Sequence, residues 1–138
     1  MSQENVEILK ASIDAYNRGD WDAWLQHAAR GFEMDMSRAV GPVSGILTLD
    51  QLRRSQVEFA EYWESVRIEP QEFIEAGDLV VVPWAMHGRG RDGIELVARA
   101  TFVFTIRNGA IERITLYQER EEALEAAGLS EQDAHADS

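Results

Sequence analysis

The sequence contains no cysteine, few basic residues and no long apolar run. The lack of cysteine excludes disulfide bonds and thiolate chemistry, and it removes the redox clue to the cellular compartment. Lys and Arg number 13 against 25 Asp and Glu, so the net charge is -12. Such a chain lacks the basic face that nucleic acids and anionic membrane surfaces require. Because the N-terminus is polar with no apolar run behind it, we expect no signal peptide, no membrane span and a cytoplasmic location.

Half of the negative charge lies at the C-terminal end. Residues 119–138 contain seven carboxylates and one arginine, a charge of -6. The remainder is only mildly acidic, and 45% of the 138 residues are hydrophobic. This composition predicts one globular domain with a substantial core. We assign residues 1–128 to that domain and residues 129–138 to an acidic flexible tail.

Apolar residues at helical spacing predict three helices in the first half of the chain. The first covers Gln3–Asn17, and a second short helix follows an N-cap at Asp20. The third opens at the capping box Thr48–Gln51 and continues to about Trp63. A last short helix is expected at Glu121–Ala127.

From residue 66 the apolar pattern changes to a period of two. This predicts four strands, Val66–Ala76, Leu79–Gly88, Ile94–Arg107 and Ile111–Gln118. The turns between them are Gly77-Asp78, Gly90–Gly93 and Asn108-Gly109, the last being the strongest hairpin signal. With one earlier strand, the order α-α-β-α-β-β-β-β plus a short C-terminal helix indicates an α+β fold with an antiparallel sheet. Three helices cover one sheet face, so we expect a cone with an apolar interior and an outer face that is polar or meets a partner.

The early strand contains the candidate acid or base of the chain. It runs through Phe32-Glu33-Met34-Asp35-Met36, and strand alternation directs the three apolar residues to one side and both carboxylates to the other. Asp35 could be a general base at the mouth of an apolar cone, where desolvation would raise its pKa. The alternative is a solvated residue of a short edge strand.

Several segments together resemble the SnoaL-like proteins of the nuclear transport factor two superfamily, relatives of the ketosteroid isomerases and limonene epoxide hydrolases. They are Tyr16–Trp21, the strand ending at Asp35, the loop Gly41–Gly45, and Asn108–Ile111 followed by Tyr117. The resemblance covers roughly residues 3–128, and the segment Tyr117–Leu124 resembles a bacterial, largely uncharacterised branch. It implies a cone-shaped α+β domain, a homodimer formed through the sheet, and an apolar pocket for a small molecule between sheet and helices. No cofactor is implied.

The resemblance also implies site positions. Asp35 stands where the isomerases place their general base, whereas their oxyanion tyrosine falls on Ser12 and its partner acid near Phe102. The final-strand acid of the epoxide hydrolases falls near Leu116. Two function classes therefore stay open. One is a cofactor-free isomerase, cyclase or dehydratase with Asp35 as base, and the other is a non-catalytic ligand-binding or dimerisation module.

Other candidate residues are aromatic or titratable. Pocket lining and core are the same surface in a cone, so both roles are open for Trp24, Tyr62, Trp63, Trp84, Phe102, Phe104 and Leu116. His87 ends an apolar strand; it is either the acid or base that assists Asp35 or an exposed structural residue. Three histidines without ligand spacing indicate no metal site. The glycine pattern Gly88–Gly93 precedes a strand and not a helix, so it predicts a hairpin tip and no nucleotide cofactor.

Overall fold

The computed structural model describes residues 2–39 and 44–132, which form four helices and seven strands. The helices are α1 (Ser2–Asn17), α2 (Trp21–Trp24), α3 (Leu49–Tyr62) and α4 (Arg120–Ala126). The strands are β1 (Ala28–Asp35), β2 (Ile46–Thr48), β3 (Trp63–Pro70), β4 (Ile74–Ala76), β5 (Leu79–Gly90), β6 (Glu95–Arg107) and β7 (Ala110–Tyr117). The loop residues 41–43 and His135, which the sequence analysis considered, lie outside the described residues.

All seven strands belong to one curved, open sheet. Its order is β2-β1-β7-β6-β5-β3, and β4 pairs with β5 beyond the end of β3. The strands from β3 to β7 pair antiparallel, which confirms the predicted α+β sheet. The strand β1 lies parallel to β7, so the sheet as a whole is mixed.

The predicted turns are hairpin tips. Asn108 and Gly109 both have positive φ, 52° and 76°, which is the primed turn that the Asn-Gly pair favours. Gly77 has a φ of 61° and joins β4 to β5. At the third tip, Arg91 donates side-chain hydrogen bonds to the carbonyl oxygens of Ala60 and Glu61, which closes the C-terminal end of α3.

The strand predicted at Val66–Ala76 is divided in two. The strand β3 already begins at Trp63, and residues 71–73 separate it from β4. Pro83 of β5 lies opposite this interruption, and its carbonyl oxygen accepts a hydrogen bond from the backbone N–H of Gln71. Because proline cannot donate to a ladder, an interruption in the neighbouring strand suits its position within the sheet.

The two faces of the sheet are covered differently. The inner face packs against α1, α2 and α3 in the main core, whose largest fully buried side chain is Phe104. A second cluster lies on the outer face, where Leu124 of α4 packs with Val81 and Val103. The outer face was expected to be polar or to meet a partner. Part of it is instead covered from within the chain, because the C-terminal helix packs on its middle.

The C-terminal segment continues to contact the domain after α4. Leu129 packs against the outer cluster, and Glu131 pairs with Arg120, which also pairs with Glu72. Leu129 and Glu131 belong to the segment 129–138, which was predicted to be an acidic flexible tail. Residues 133–138 lie outside the described part of the chain.

Candidate functional site

The main core between the inner sheet face and helices α1–α3 contains two groups of contacting aromatic rings, one on the sheet and one on the helices. The centroids of Trp84 and Phe102 lie 4.9 Å apart, and those of Phe102 and Phe104 lie 5.7 Å apart. On the helical side, the ring of Tyr16 lies 5.5 Å from that of Trp24. The even-numbered residues of β5 and β6 and the apolar stripe of the helices supply these rings, as the period-two and helical patterns require.

Several buried polar atoms of the domain have no hydrogen-bond partner. Within residues 2–39 and 44–132 they are Ser12 Oγ, Trp24 Nε1, Gln56 Oε1 and Trp84 Nε1. Buried polar groups are hydrogen-bonded in the great majority of cases, and a buried indole N–H usually finds an acceptor. The two indoles and Gln56 therefore offer two donors and one acceptor to a molecule bound beside the rings.

Tyr16 and Ser12, both in α1, have further properties. Burial raises the pKa of Tyr16 to about 12, so its phenol stays protonated across the physiological range. Ser12 lines an open groove of about 210 Å³ between α1 and α2, together with Ala15 and Ala23. Ser12 is thus buried at the base of this groove, at the position where the resemblance would place the oxyanion tyrosine.

Asp35 lies on the opposite face of the sheet. Phe32, Met34 and Met36 point toward the main core, so alternation directs Asp35 outward. Its Oδ1 accepts hydrogen bonds from the hydroxyl of Ser37 at 2.6 Å and from the backbone N–H of Ser37 at 3.0 Å. Its Oδ2 accepts from Nη2 of Arg113 at 3.1 Å, and only 13% of the side chain is exposed.

Arg113 joins the two outward carboxylates of β1. Its Nη1 donates to Glu33 at 2.8 Å while its Nη2 contacts Asp35, because β1 and β7 run parallel with Glu33 beside Arg113 and Asp35 beside Thr115. Arg38 adds a longer contact of 3.8 Å to Asp35 and stacks over the ring of Tyr117 at 4.5 Å. The result is a charged cluster that ties the end of β1 to β7.

The electrostatics of Asp35 oppose the expectation for a desolvated base. The hydrogen bond from the Ser37 hydroxyl holds the pKa of Asp35 below its ordinary value, and partial burial acts in the other direction. The Ser37 backbone N–H and the Arg113 guanidinium lower this pKa further. The prediction of a raised pKa is therefore wrong, since each oxygen of the carboxylate has a donor that favours its charged form.

His87 is not close to Asp35. Its side chain is 49% exposed, and its Nε2 lies 3.3 Å from Glu69. The pairings across the sheet bring Asp35 of β1 level with Val81 of β5, which is three strands away. His87 lies six residues further along β5. That separation amounts to about 20 Å along the strand and about 14 Å across it. The two predicted acid–base residues therefore do not form one constellation.

The predicted lining residues divide into three groups. Trp24, Phe102, Phe104 and Leu116 are buried in the main core, and half-buried Trp84 packs against it. Trp63 lies over Gly88, where an added Cβ would be only 2.8 Å from the indole ring, and it packs with Phe59. Tyr62 is 73% exposed at the end of α3, so it lines no enclosed interior.

Three residues of interest were missed from the sequence. Gln56 lies four residues after Leu52 and three before Phe59, so helical spacing alone places it on the apolar face of α3. Tyr16 was considered only as part of the segment Tyr16–Trp21 that carries the resemblance. The pairing of Arg113 with β1 spans 78 residues and had no local signal.

Two further findings limit the chemistry of the described residues. No three of their His, Asp and Glu side chains are placed to hold a metal ion. No helix in the described part of the chain is both long enough and apolar enough to cross a bilayer.

The sequence matches the model of the SnoaL-like domain over residues 9–114, and the chain belongs to this family. No match was found among curated proteins. Among solved structures it is similar to TerC co-crystallised with polyporic acid, with a TM-score of 0.74 and 20% identity over 91% of this chain and 98% of that one.

Two other solved structures show the same fold. One is a protein of ketosteroid isomerase-like fold from Catenulispora acidiphila in complex with trimethylamine, with a TM-score of 0.70 and 18% identity over 91% of this chain and 95% of that one. The other is a putative polyketide cyclase from Xanthomonas campestris, with a TM-score of 0.65 and 23% identity over 91% of this chain and 97% of that one. These likenesses establish an NTF2-like fold.

Proposed function

We propose that this protein binds a small, largely apolar ring compound in the aromatic interior between the sheet and helices α1–α3. The observation that carries the proposal is the pair of buried indole N–H groups of Trp24 and Trp84 without partners, to which Gln56 adds one buried oxygen without a partner. Aromatic walls with a few placed polar groups are typical of small-molecule sites. The co-crystallised small molecules of two structural neighbours support the same general use of this fold.

The ligand would stack on Trp84 and Phe102. Trp84 is only half-buried, and the adjoining inner face of β6 carries the small, half-buried residues Ala98 and Ala100. The ligand would therefore approach the rings over the long β5–β6 hairpin. Asp35 is the one ionisable side chain that is buried among the described residues, and it faces the outer side of the sheet. Neutral rings with carbonyl or hydroxyl groups should therefore bind better than sugars or nucleotides.

The catalytic alternative assigns proton transfer to Asp35 with assistance from His87. The outward position of Asp35, its Arg113 and Ser37 partners and its distance from His87 favour the binding function. The proposed roles of both residues as catalysts remain a prediction, as does the description of the protein as a cofactor-free isomerase, cyclase or dehydratase.

The binding proposal predicts a selective effect of removing one indole N–H. Trp84→Phe keeps an aromatic ring but loses the donor, so the affinity for a hydroxynaphthoquinone should fall about fivefold to tenfold, the worth of one hydrogen bond. Isothermal titration calorimetry at several temperatures measures this, and the native protein should show a negative heat-capacity change.

The matched control is Trp21→Phe, because Trp21 packs at the edge of the same core and its indole N–H is not among the unpartnered groups. Equal losses in both variants, or tighter binding of glucose 6-phosphate than of the quinone by the native protein, would contradict the proposal.

We also propose that the chain forms a homodimer through its sheet. Among the apolar odd-numbered residues of the last two long strands, Val103 is buried under α4 and Ile111 lies in the main core, whereas Val97 is 57% exposed. Exposed Ile94 and Leu96 lie at the same end of the hairpin, on the other face of the strand. Exposed apolar residues concentrated at one end of a hairpin are typical of interaction surfaces.

A further inference from the structure

The first half of β6 is a free sheet edge. The strand β7 pairs with residues 101–107 of β6, whereas, within the described ranges 2–39 and 44–132, residues 95–100 pair only with β5. No other described residue pairs with this segment on its second side. Val97, Glu95 and Arg99 are all exposed along it. An exposed edge with unpaired backbone groups is a template for another strand.

The direction of the backbone groups along this edge follows from the neighbouring hydrogen bonds. The N–H of Gly90 donates to the carbonyl of Ile94 at 2.8 Å, and the N–H of Ile106 donates to Asp78 at 2.8 Å, so even-numbered residues of β6 face β5. The β5–β6 register is continuous between these points. Backbone groups alternate along an antiparallel strand. The N–H and C=O groups of Glu95, Val97 and Arg99 therefore point to the free edge.

We propose that two copies of this chain pair antiparallel through this edge, with a twofold axis at Val97. This deepens the proposed homodimer and is independent of the proposed ligand. In this register Val97 faces its own copy, and Glu95 of each chain faces Arg99 of the other. All three residues with outward backbone groups then lie directly opposite one another, which gives six inter-chain backbone hydrogen bonds.

The side chains fit the same register. Residues 95 and 99 carry opposite charges at equal distances from Val97, so self-pairing places two Glu–Arg pairs on the outer face. On the inner face, Leu96 of one chain adjoins the small Ala98 of the other. An edge protected against self-pairing would carry like charges, a proline or a bulge, and none of these occurs at residues 95–100. A closed twofold interface of this kind is self-complementary.

The charge pattern allows a swap experiment. Arg99→Glu and Glu95→Arg each place like charges opposite one another twice per dimer, so sedimentation should show at least about tenfold weaker dimerisation for each. The double variant, Glu95→Arg with Arg99→Glu, recreates both pairs with their order exchanged, and its affinity should return to near the native value. Ser65→Glu, an exposed change on β3, serves as a control for added charge and should have little effect.

The absence of cysteine allows a second, independent readout. Val97→Cys should give a disulfide-linked dimer under mild oxidation, because opposite residues of an antiparallel pair have Cα atoms about 5.5 Å apart. Arg99→Cys is its matched control, since the proposed register places the two copies of residue 99 about 14 Å apart.

The outcomes separate the edge register from dimerisation itself. Preferential cross-linking at residue 97 together with rescue by the double swap supports the edge pairing. A native dimer that shows neither result overturns the edge pairing and leaves a dimer through the sheet face. A native chain that sediments as a monomer at tens of micromolar overturns both.

Discussion

Replacing Asp35 by Asn is expected to lower the free energy of unfolding by about 1.5–3 kcal/mol, the range for hydrogen bonds to charged groups. The substitution removes the negative charge that accepts from Arg113 at 3.1 Å and from the Ser37 hydroxyl at 2.6 Å. Arg113 then retains only Glu33, whose side chain is 48% exposed. Urea unfolding at neutral pH measures the difference.

The pH dependence of this effect has a definite sign. Because the folded-state pKa of Asp35 lies below its ordinary value, its ionised form is favoured by folding. The resulting stability is present above the unfolded pKa, about 3.9 for Asp, and is lost as the pH falls through the folded pKa. The difference in stability between the native protein and Asp35→Asn should therefore be constant near neutral pH and shrink below about pH 4.

Glu33→Gln provides the matched control. Glu33 also binds Arg113 but is about half exposed, so its loss should cost less than about 1 kcal/mol, as for surface ion pairs. A more stable Asp35→Asn variant would contradict the structure and indicate instead a poorly solvated carboxylate, as a general base in an apolar cavity would be. Full activity of that variant on an identified substrate would exclude Asp35 as the base.

The residue pattern was sufficient for the fold but not for the placement of Asp35. Hairpin tips such as Asn108-Gly109 follow from local backbone preferences, so they can be predicted from a few residues. Alternation also correctly separated Asp35 from Phe32 and Met34. It could not say which side was interior, because that depends on β1 lying parallel to β7, a pairing between distant segments.

The charge content of the long strands contained part of the answer. Glu95, Arg99 and Arg113 are charged and odd-numbered, so their chemistry alone favours a solvated outer face, and in the structure they lie on the side of the sheet opposite the main core. Asp35 joins that side through its contact with Arg113. The register shift between Thr105 and Ile106 is a second reason why side-chain directions could not be predicted from simple alternation. It changes which residues of β7 face inward, so Ile111 points into the main core.

Removing the side-chain amide of Asn17 is expected to open the outer edge of β3. Its Nδ2 donates to the carbonyl of Ile68 at 2.8 Å, and its Oδ1 accepts from the N–H of Ile68 at 2.7 Å. The side-chain amide thereby makes the two backbone hydrogen bonds that a neighbouring strand would make to Ile68, and it holds the end of α1 against the sheet. Asn17→Ala leaves both partly buried backbone groups without a partner and should cost about 2–3 kcal/mol.

Hydrogen exchange distinguishes this local role from general destabilisation. The amide of Ile68 should be protected in the native protein and exchange much faster in Asn17→Ala, with smaller changes at amides in the middle of β5. Gln71→Ala removes an exposed amide whose Nε2 bonds the Glu69 carbonyl at 3.2 Å, and it should leave Ile68 protected. Unchanged exchange at Ile68 in Asn17→Ala would show that the side-chain amide does not hold this edge.

Loss of the Asn17 contact should weaken quinone binding as well, because α1 also carries Tyr16, whose ring lies next to that of Trp24. The edge of the sheet would then be linked to the aromatic interior through α1.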